Sequence, residues 1–425
     1  MKDSPRIAII GAGYAGMAAA CELAQSGLSA TVFEASRTLG GRARAVTLPD
    51  ATVDNGQHIL IGAYRETLRL MKQVGLDPEQ ALLRLPLTLD FPGELRIAAP
   101  VLPAPLHLAW ALLAARGLGW ADKLAAIRFM QAMKARRFQL PHDLPLSHLL
   151  DEWQQPPRLR QYLWDNLCVA ALNTPADAAS AQTFLNVLRD TLAAGRQASD
   201  LLLPRTDLSA LFPDAAARHL IECSGDPQTI RRATPIRQIT PQPRGGYLLH
   251  DKTGEIGQYT HLILATAPHH VSDLLPKNHQ LDNLQKQLAA FRYQPILTAY
   301  LAYPETTRLP QPMLGHTQGI TQWLFDRGRL GGPAGLLAAV VSAEGPHLAL
   351  DHDTLCTRIE EEIRSTHRMP LPPARWRKVI TEKRATWSCV PGLERTGNST
   401  PLPGLWLAGD YTAGDYPGTI EMAIR

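Results

Sequence analysis

Short apolar runs broken by glycine and proline set the pattern of the chain. The first, Ile7-Ala8-Ile9-Ile10, is apolar at every position, as in a strand buried on both faces of a parallel sheet. Gly11-Ala12-Gly13-Tyr14-Ala15-Gly16 follows at once, and then a helix-forming run over 17–24, with Gly27 placed to cap its end. A second apolar strand over 29–33 ends in Glu34. Further buried strands are expected over 261–264, which leads into Ala265-Thr266-Ala267-Pro268, and over 405–408. The stretches 234–239 and 247–250 read as a small antiparallel element. Strands near 296–301 and 336–341 and a helix near 351–366 complete the outline. No internal repeat or low-complexity tract interrupts it.

The spacing of the first glycines carries chemistry. Gly11 permits a tight turn, Gly13 lets a pyrophosphate approach the backbone, and Gly16 lets the helix pack on the strand. The amides of Tyr14 and Ala15 then open a helix whose N-terminus favours phosphate. Glu34, with Ala35 beside it, stands at the tip of the second strand, where a carboxylate accepts hydrogen bonds from ribose hydroxyls. An acid at this point favours FAD or NAD over NADP. The order of strand, glycine turn, helix, strand and acid predicts an α/β fold. A discontinuous Rossmann-type domain is expected, assembled from 1–62, 205–275 and 400–425, and the segments 39–44 and 409–410 make it an FAD-binding one by their resemblance to flavoprotein motifs. A mixed, helix-rich substrate domain is expected from 63–204 and 276–399.

The choice of flavin over nicotinamide rests on two further segments. Leu39-Gly40-Gly41-Arg42-Ala43-Arg44 resembles the paired-glycine motif of flavoproteins related to amine oxidases and phytoene desaturases. There Gly40 and Gly41 pass close to the cofactor, and Arg42 neutralises phosphate charge. Near the other end, Gly409-Asp410 is similar to the pair that sets a carboxylate on the ribityl chain or pyrophosphate. Gly418, Thr419 and Ile420 then lead into a helix aimed at the flavin ring, with Pro417 suited to its first turn. Ile236 is the candidate adenine contact. No second Gly-x-Gly-x-x-Gly follows a later apolar strand, which leaves the electron donor unidentified.

Composition narrows the partners. The 425 residues are 45% hydrophobic and 19% charged, a globular balance. Lys and Arg together number 43 against 39 Asp and Glu, and the net charge of +4 is too thin and too scattered for nucleic-acid binding. Five dispersed cysteines argue against a disulfide framework or a cysteine metal site, and no metal is expected. The start of the chain lacks the long apolar core of a signal peptide, and the longest apolar stretch, 101–118, is broken by Pro103, Pro105, His107 and Arg116. A cytoplasmic protein is expected. The stretch 109–138 sets Trp110, Trp120, Leu124 and Phe129 against Arg116, Lys123, Arg128, Lys134, Arg136 and Arg137. That composition suits either a peripheral contact with the cytoplasmic membrane face or an ordinary helical hairpin packed on the core.

Several segments go beyond generic flavin binding: Asp54-Asn55-Gly56-Gln57-His58, Trp164-Asp165-Asn166-Leu167-Cys168, Ala171-Leu172-Asn173-Thr174-Pro175 and Val187-Leu188-Arg189-Asp190. Together they resemble the hydroxysqualene dehydroxylases, squalene-associated FAD-dependent enzymes of bacterial hopanoid synthesis, over nearly the whole chain. The resemblance implies reductive removal of an allylic hydroxyl from a hydrophobic C30 isoprenoid, giving squalene. It also implies that the loop holding Gln57 and His58 approaches the flavin. His58 is then the candidate proton donor, and a loop anchor on the other reading. Asp54, beside the turn-forming Asn55-Gly56, reads as a loop anchor. The alternatives are an oxidative carotenoid or phytoene-type desaturase, an amine oxidase, or a non-catalytic FAD-binding partner.

Overall fold

In the computed structural model, which describes residues 5–367 and 369–425, the apolar runs assemble two large sheets. In chain order their strands are β1 (Ile7–Ile10), β2 (Ala30–Phe33), β3 (Ile230–Arg231), β4 (His261–Leu264) and β5 (Tyr293–Ala302). They continue as β6 (Met313–Gly315), β7 (Trp323–Asp326), β8 (Leu336–Ser342), β9 (Trp376–Trp387) and β10 (Leu405–Leu407). The first sheet has the order β3-β2-β1-β4-β10 and is parallel throughout. The second has the order β6-β7-β8-β5-β9 and is antiparallel. β1 lies at the centre of the parallel sheet, which explains why all four of its residues are buried.

Seven helices bear on the site, on the packing behind it or on the outer surface. They are α1 (Tyr14–Gln25), α2 (Leu106–Leu113), α3 (Trp120–Ala135), α4 (Asp165–Leu172), α5 (Pro213–Ser224), α6 (His352–His367) and α7 (Ile420–Ile424). α1 packs its buried Met17, Ala20 and Cys21 in one apolar cluster with Leu211, Phe212 and Ala216 around α5. Gly16 makes that geometry possible. A Cβ there would lie 1.9 Å from the Gly11 carbonyl oxygen and 3.1 Å from the Ala265 Cβ, so only hydrogen fits between helix and turn.

The structure departs from the expected outline in several places. The segment 63–204, expected to be helix-rich, also carries strands that were not foreseen: Leu82–Leu85 and Leu201–Pro204 pair in a small sheet, and Thr88–Phe91 pairs with Leu95–Ala98. The strand read over 234–239 begins only at Gln238, and the small antiparallel sheet gains a third strand, Glu255–Tyr259. The stretch 109–138 is two helices, α2 and α3, separated by a turn containing Gly117 and Gly119, both exposed. Pro417 does not start the last helix. Thr419 does, its hydroxyl accepting the Met422 amide at 3.2 Å, because a side-chain acceptor satisfies an amide that proline merely lacks.

Candidate functional site

The residues at the C-terminal ends of β1, β2, β4 and β10 line one cavity of about 790 Å³, within the usual range for small-molecule sites. At its floor the first turn of α1 begins with Gly13, which offers no side chain to cap the helix, and no acid occupies that turn. The opening amides and the positive end of the helix dipole are left for an anion. A Cβ on Gly13 would rest in ordinary contact with the Gly40 and Gly41 backbone at 3.8 to 4.0 Å, so the protein itself would tolerate it and the glycine is not required by packing. Gly40 lies beside it, bridged to Gly13, with a positive φ of 113° and no room for a Cβ, which would sit 2.3 Å from the Ala43 carbonyl oxygen. Thr266 Oγ1 is buried in the same lining without a protein partner, an acceptor and donor held ready for something else.

Of the residues singled out from sequence, Gly11, Gly13, Tyr14, Ala15, Glu34, Ala35, Gly40, Gly41, Arg42, Gln57, His58, Ile236, Gly409, Asp410, Gly418, Thr419 and Ile420 all line this cavity. Gly16 does not; it sits behind, where the helix meets the turn. Glu34 braces the glycine turn itself. Its Oε2 accepts the Ala12 amide at 2.8 Å and its Oε1 the Ser36 amide at 2.8 Å, and each oxygen keeps a lone pair for a ribose hydroxyl. Arg42 is not a free cation. It donates to Asp410 Oδ1 at 2.6 Å and to the Ala385 carbonyl at 2.9 Å, so the two ends of the chain meet in one ion pair at the cavity wall.

The loop of Asn55 to His58 enters the cavity from the side. Asp54 anchors it from behind: Oδ1 accepts the Leu208 amide at 2.8 Å, and Arg327 stands 3.5 Å from Oδ2 while donating to Gln57 Oε1 at 2.9 Å. Burial lifts the Asp54 carboxyl to about 6 despite Arg327. Asn55 donates to Glu382 at 2.9 Å and to the Arg42 carbonyl at 3.2 Å. His58 Nδ1 lies 2.8 Å from the Gly56 carbonyl oxygen, which accepts only from a protonated Nδ1. Burial, with the charge of Arg42, holds the imidazole below its usual pKa. The neutral ring therefore carries its proton on Nδ1 and offers Nε2 as an acceptor, the opposite of a ready acid.

Sequence reasoning missed two parts of the lining. His269 and His270 lie in the first turn of the helix Pro268–Leu274, a few residues beyond β4, with ring centroids 4.1 Å apart, and His269 Nδ1 stands 3.4 Å from the Tyr293 hydroxyl. Their adjacency just after a buried strand was the available signal. The second part is an apolar arm formed by Val169, Ala170 and Ala171 of α4, Ile296 of β5, Trp323 and Phe325 of β7, and Val340 of β8. These positions are scattered over more than 170 residues of sequence, and no local pattern links them.

The family model for flavin containing amine oxidoreductases matches residues 14–425. The chain belongs to that family. It is accordingly a flavin-dependent oxidoreductase, and the cradle of Gly13, Gly40 and the α1 N-terminus has the donor set that such a cofactor requires. Among curated relatives it is similar to hydroxysqualene dehydroxylase of Zymomonas mobilis, 26% identical over 98% of this chain and 96% of the relative. The hydroxysqualene dehydroxylase of Rhodopseudomonas palustris is 27% identical over 99% and 96%. A zeta-carotene desaturase of Zea mays is 25% identical over 98% of this chain and 81% of the relative. In fold it is similar to an oxidoreductase from Methanosarcina mazei, with a TM-score of 0.77 at 14% identity over 99% of this chain and 98% of that one.

Proposed function

We propose that the protein binds FAD and, with the cofactor reduced, removes the allylic hydroxyl of hydroxysqualene to give squalene, oxidised FAD and water. The observation that carries this reading is the apolar arm: the cavity that holds the glycine cradle is also lined by Ala170, Ile296, Trp323, Phe325 and Val340, a lining suited to hydrocarbon. The relatives named hydroxysqualene dehydroxylase support it over the full length of the chain. On this proposal, 1–62, 205–275 and 400–425 form the cofactor domain, and 63–204 with 276–399 form the substrate domain. The donor that renews the reduced cofactor is a separate, unidentified partner.

Reduced FAD, when bound, would supply both hydrogens of the net reaction, the hydride that ends on carbon and the proton that turns the departing hydroxide into water. The chain's own residues do the rest. Gly13 and the α1 amides receive the pyrophosphate, Glu34 the ribose, and Ile236 the adenine. Asp410, oriented by Arg42, would hold the ribityl chain, and Thr419 and Ile420, at the start of α7, would offer their helix end to the ring. The arm holds the isoprenoid and excludes water from the allylic cation that forms as hydroxide departs. The aromatic faces of Trp323 and Phe325 suit that charge. His58 accepts the substrate hydroxyl at Nε2 and orients it, in place of the acid role read from sequence.

The test is product analysis under anaerobic conditions. Purified protein given hydroxysqualene and reduced FAD is expected to yield squalene. Protein that leaves hydroxysqualene untouched, but introduces double bonds into zeta-carotene with oxidised FAD, supports the desaturase reading suggested by the zeta-carotene desaturase relatives.

A further inference from the structure

The described residues with large apolar side chains left to solvent are concentrated in one place. Val101, Leu106, Trp110, Leu113, Trp120 and Leu124 are all exposed, with Trp110 at 58% and Trp120 at 69%, and all fall within 24 consecutive positions. On α2 the exposed positions are Leu106, Ala109, Trp110 and Leu113, the i, i+3, i+4, i+7 stripe of one helix face. In a water-facing helix that stripe is polar. Here it is wholly apolar, while the opposite face buries His107 and Ala111. On α3 the outward stripe begins apolar with Trp120 and Leu124 and continues through Arg128, Gln131 and Lys134. The change from apolar to basic takes about 6 Å along the helix axis.

The hairpin is held together, so the exposure is not that of a frayed loop. Lys123 is buried and donates from Nζ to the Leu113 carbonyl at 2.7 Å, capping the end of α2, with its ammonium 5.1 Å from the centre of the Trp120 ring. Arg158 donates to the Gly117 carbonyl in the connecting turn. On its inner side α3 packs Phe129 against Trp164, ring centroids 5.2 Å apart, and Trp164 immediately precedes α4, whose Val169 to Ala171 line the cavity. Charge is equally concentrated. Residues 101–137 hold six basic side chains and only Asp122 as an acid, a larger excess than the +4 of the entire chain.

We propose that the α2–α3 hairpin docks on the surface of an anionic lipid bilayer, with Trp110, Trp120 and the leucines inserted at the headgroup level and Arg116, Arg128 and Lys134 against the phosphates. The surface commits to lipid by its charge order. A second copy of the chain would bring the same basic residues together, whereas an anionic membrane complements them. Tryptophan suits the site because its ring is apolar and its N–H needs a polar partner, the situation at a headgroup boundary. No helix among the described residues is long and apolar enough to cross a membrane, and α2, with eight residues, lies on it. The inference is independent of the redox chemistry and of the substrate.

Flotation tests it with the intact protein and no substrate. Vesicles of phosphatidylglycerol and phosphatidylcholine are expected to carry the protein upward at low salt, and pure phosphatidylcholine to carry about tenfold less. The Trp110→Ser, Trp120→Ser double variant gives up the Trp120–Lys123 contact but keeps the Lys123–Leu113 bond, so it should melt close to wild type and lose at least about tenfold in vesicle binding. Arg128→Glu with Lys134→Glu should lose binding to the anionic vesicles alone. Wild-type protein that stays with neither vesicle overturns the proposal, as does a tryptophan variant that floats as well as wild type. A concentration-dependent dimer that protects residues 106–124 from hydrogen exchange would assign the face to a second copy and overturn it too.

Discussion

Gly13 and Gly16 stand three residues apart in one turn, yet the structure gives them opposite tolerances. A Cβ at Gly13 meets the Gly40 and Gly41 backbone only at ordinary contact distance, 3.8 to 4.0 Å, while a Cβ at Gly16 collides with the Gly11 carbonyl at 1.9 Å. Gly13→Val is therefore expected to fold with a melting temperature close to wild type and to bind no flavin. Gly16→Ala should fail to fold stably, because the helix cannot leave the strand. Absorbance of bound flavin beside thermal melting separates the two; a Gly13→Val protein that stays yellow would show that nothing approaches that backbone. Such glycine roles were legible in the sequence because spacing alone sets them. The role of His58 was not, since its proton position depends on the Gly56 carbonyl and on burial, which no motif reports.

Titration at His269 belongs to the same scale. Burial and the adjoining His270 lower its pKa from 6.5 to about 4, with Arg384 and Arg42 adding to the effect and Asp273 opposing it. The unfolded chain takes up that proton near 6.5, so this contribution to stability is complete above 6.5 and drains as the pH falls through 4. Asp54 has the reverse sign: its carboxyl is raised to about 6, so its contribution is full below 3.8 and lost as the pH rises through 6. In His269→Asn the melting temperature should fall less between pH 6.5 and 4 than in wild type. Parallel melting curves across that window would contradict the assignment.

Elements were legible in proportion to how local their cause is. β1, β4, β8 and α6 announce themselves by apolar runs or helical periodicity, and the structure places them within a few residues of expectation. β9 gave no such signal. It carries Arg377, Lys378, Glu382, Lys383 and Arg384 because it is the edge of its sheet, where charge protects an open backbone. The end of α4 shows how one side chain joins elements. Asn173 is left-handed, with φ 46°; its Nδ2 donates to Thr386 Oγ1 at 3.0 Å and its Oδ1 accepts the Ala343 amide at 2.8 Å. Asn173→Ala strains that conformation and orphans a buried amide, a loss of about 3 kcal/mol. Denaturant titration should show it, and an unchanged midpoint would mean the helix end is held by other contacts.

At the scale of the whole molecule, the glycine cradle comes from the N-terminal part of the chain, closed by its C-terminal end, and the apolar arm from the middle. The Arg42–Asp410 pair, 368 positions apart, closes the first, and β5, β7 and β8 set the wall of the second. The cradle was legible because each of its pieces carries its own motif. The arm was not, because its shape exists only once distant strands are packed together.

On the proposed function electrons flow from reduced flavin to the isoprenoid across that junction, and a single anaerobic turnover tests this most directly. Protein loaded with reduced FAD is mixed with one equivalent of hydroxysqualene, and flavin absorbance and lipid products are followed together. Reoxidation of one flavin for each squalene formed is the predicted result. Reoxidation without squalene, or an oxidised flavin that instead becomes reduced as the isoprenoid gains a double bond, would contradict it.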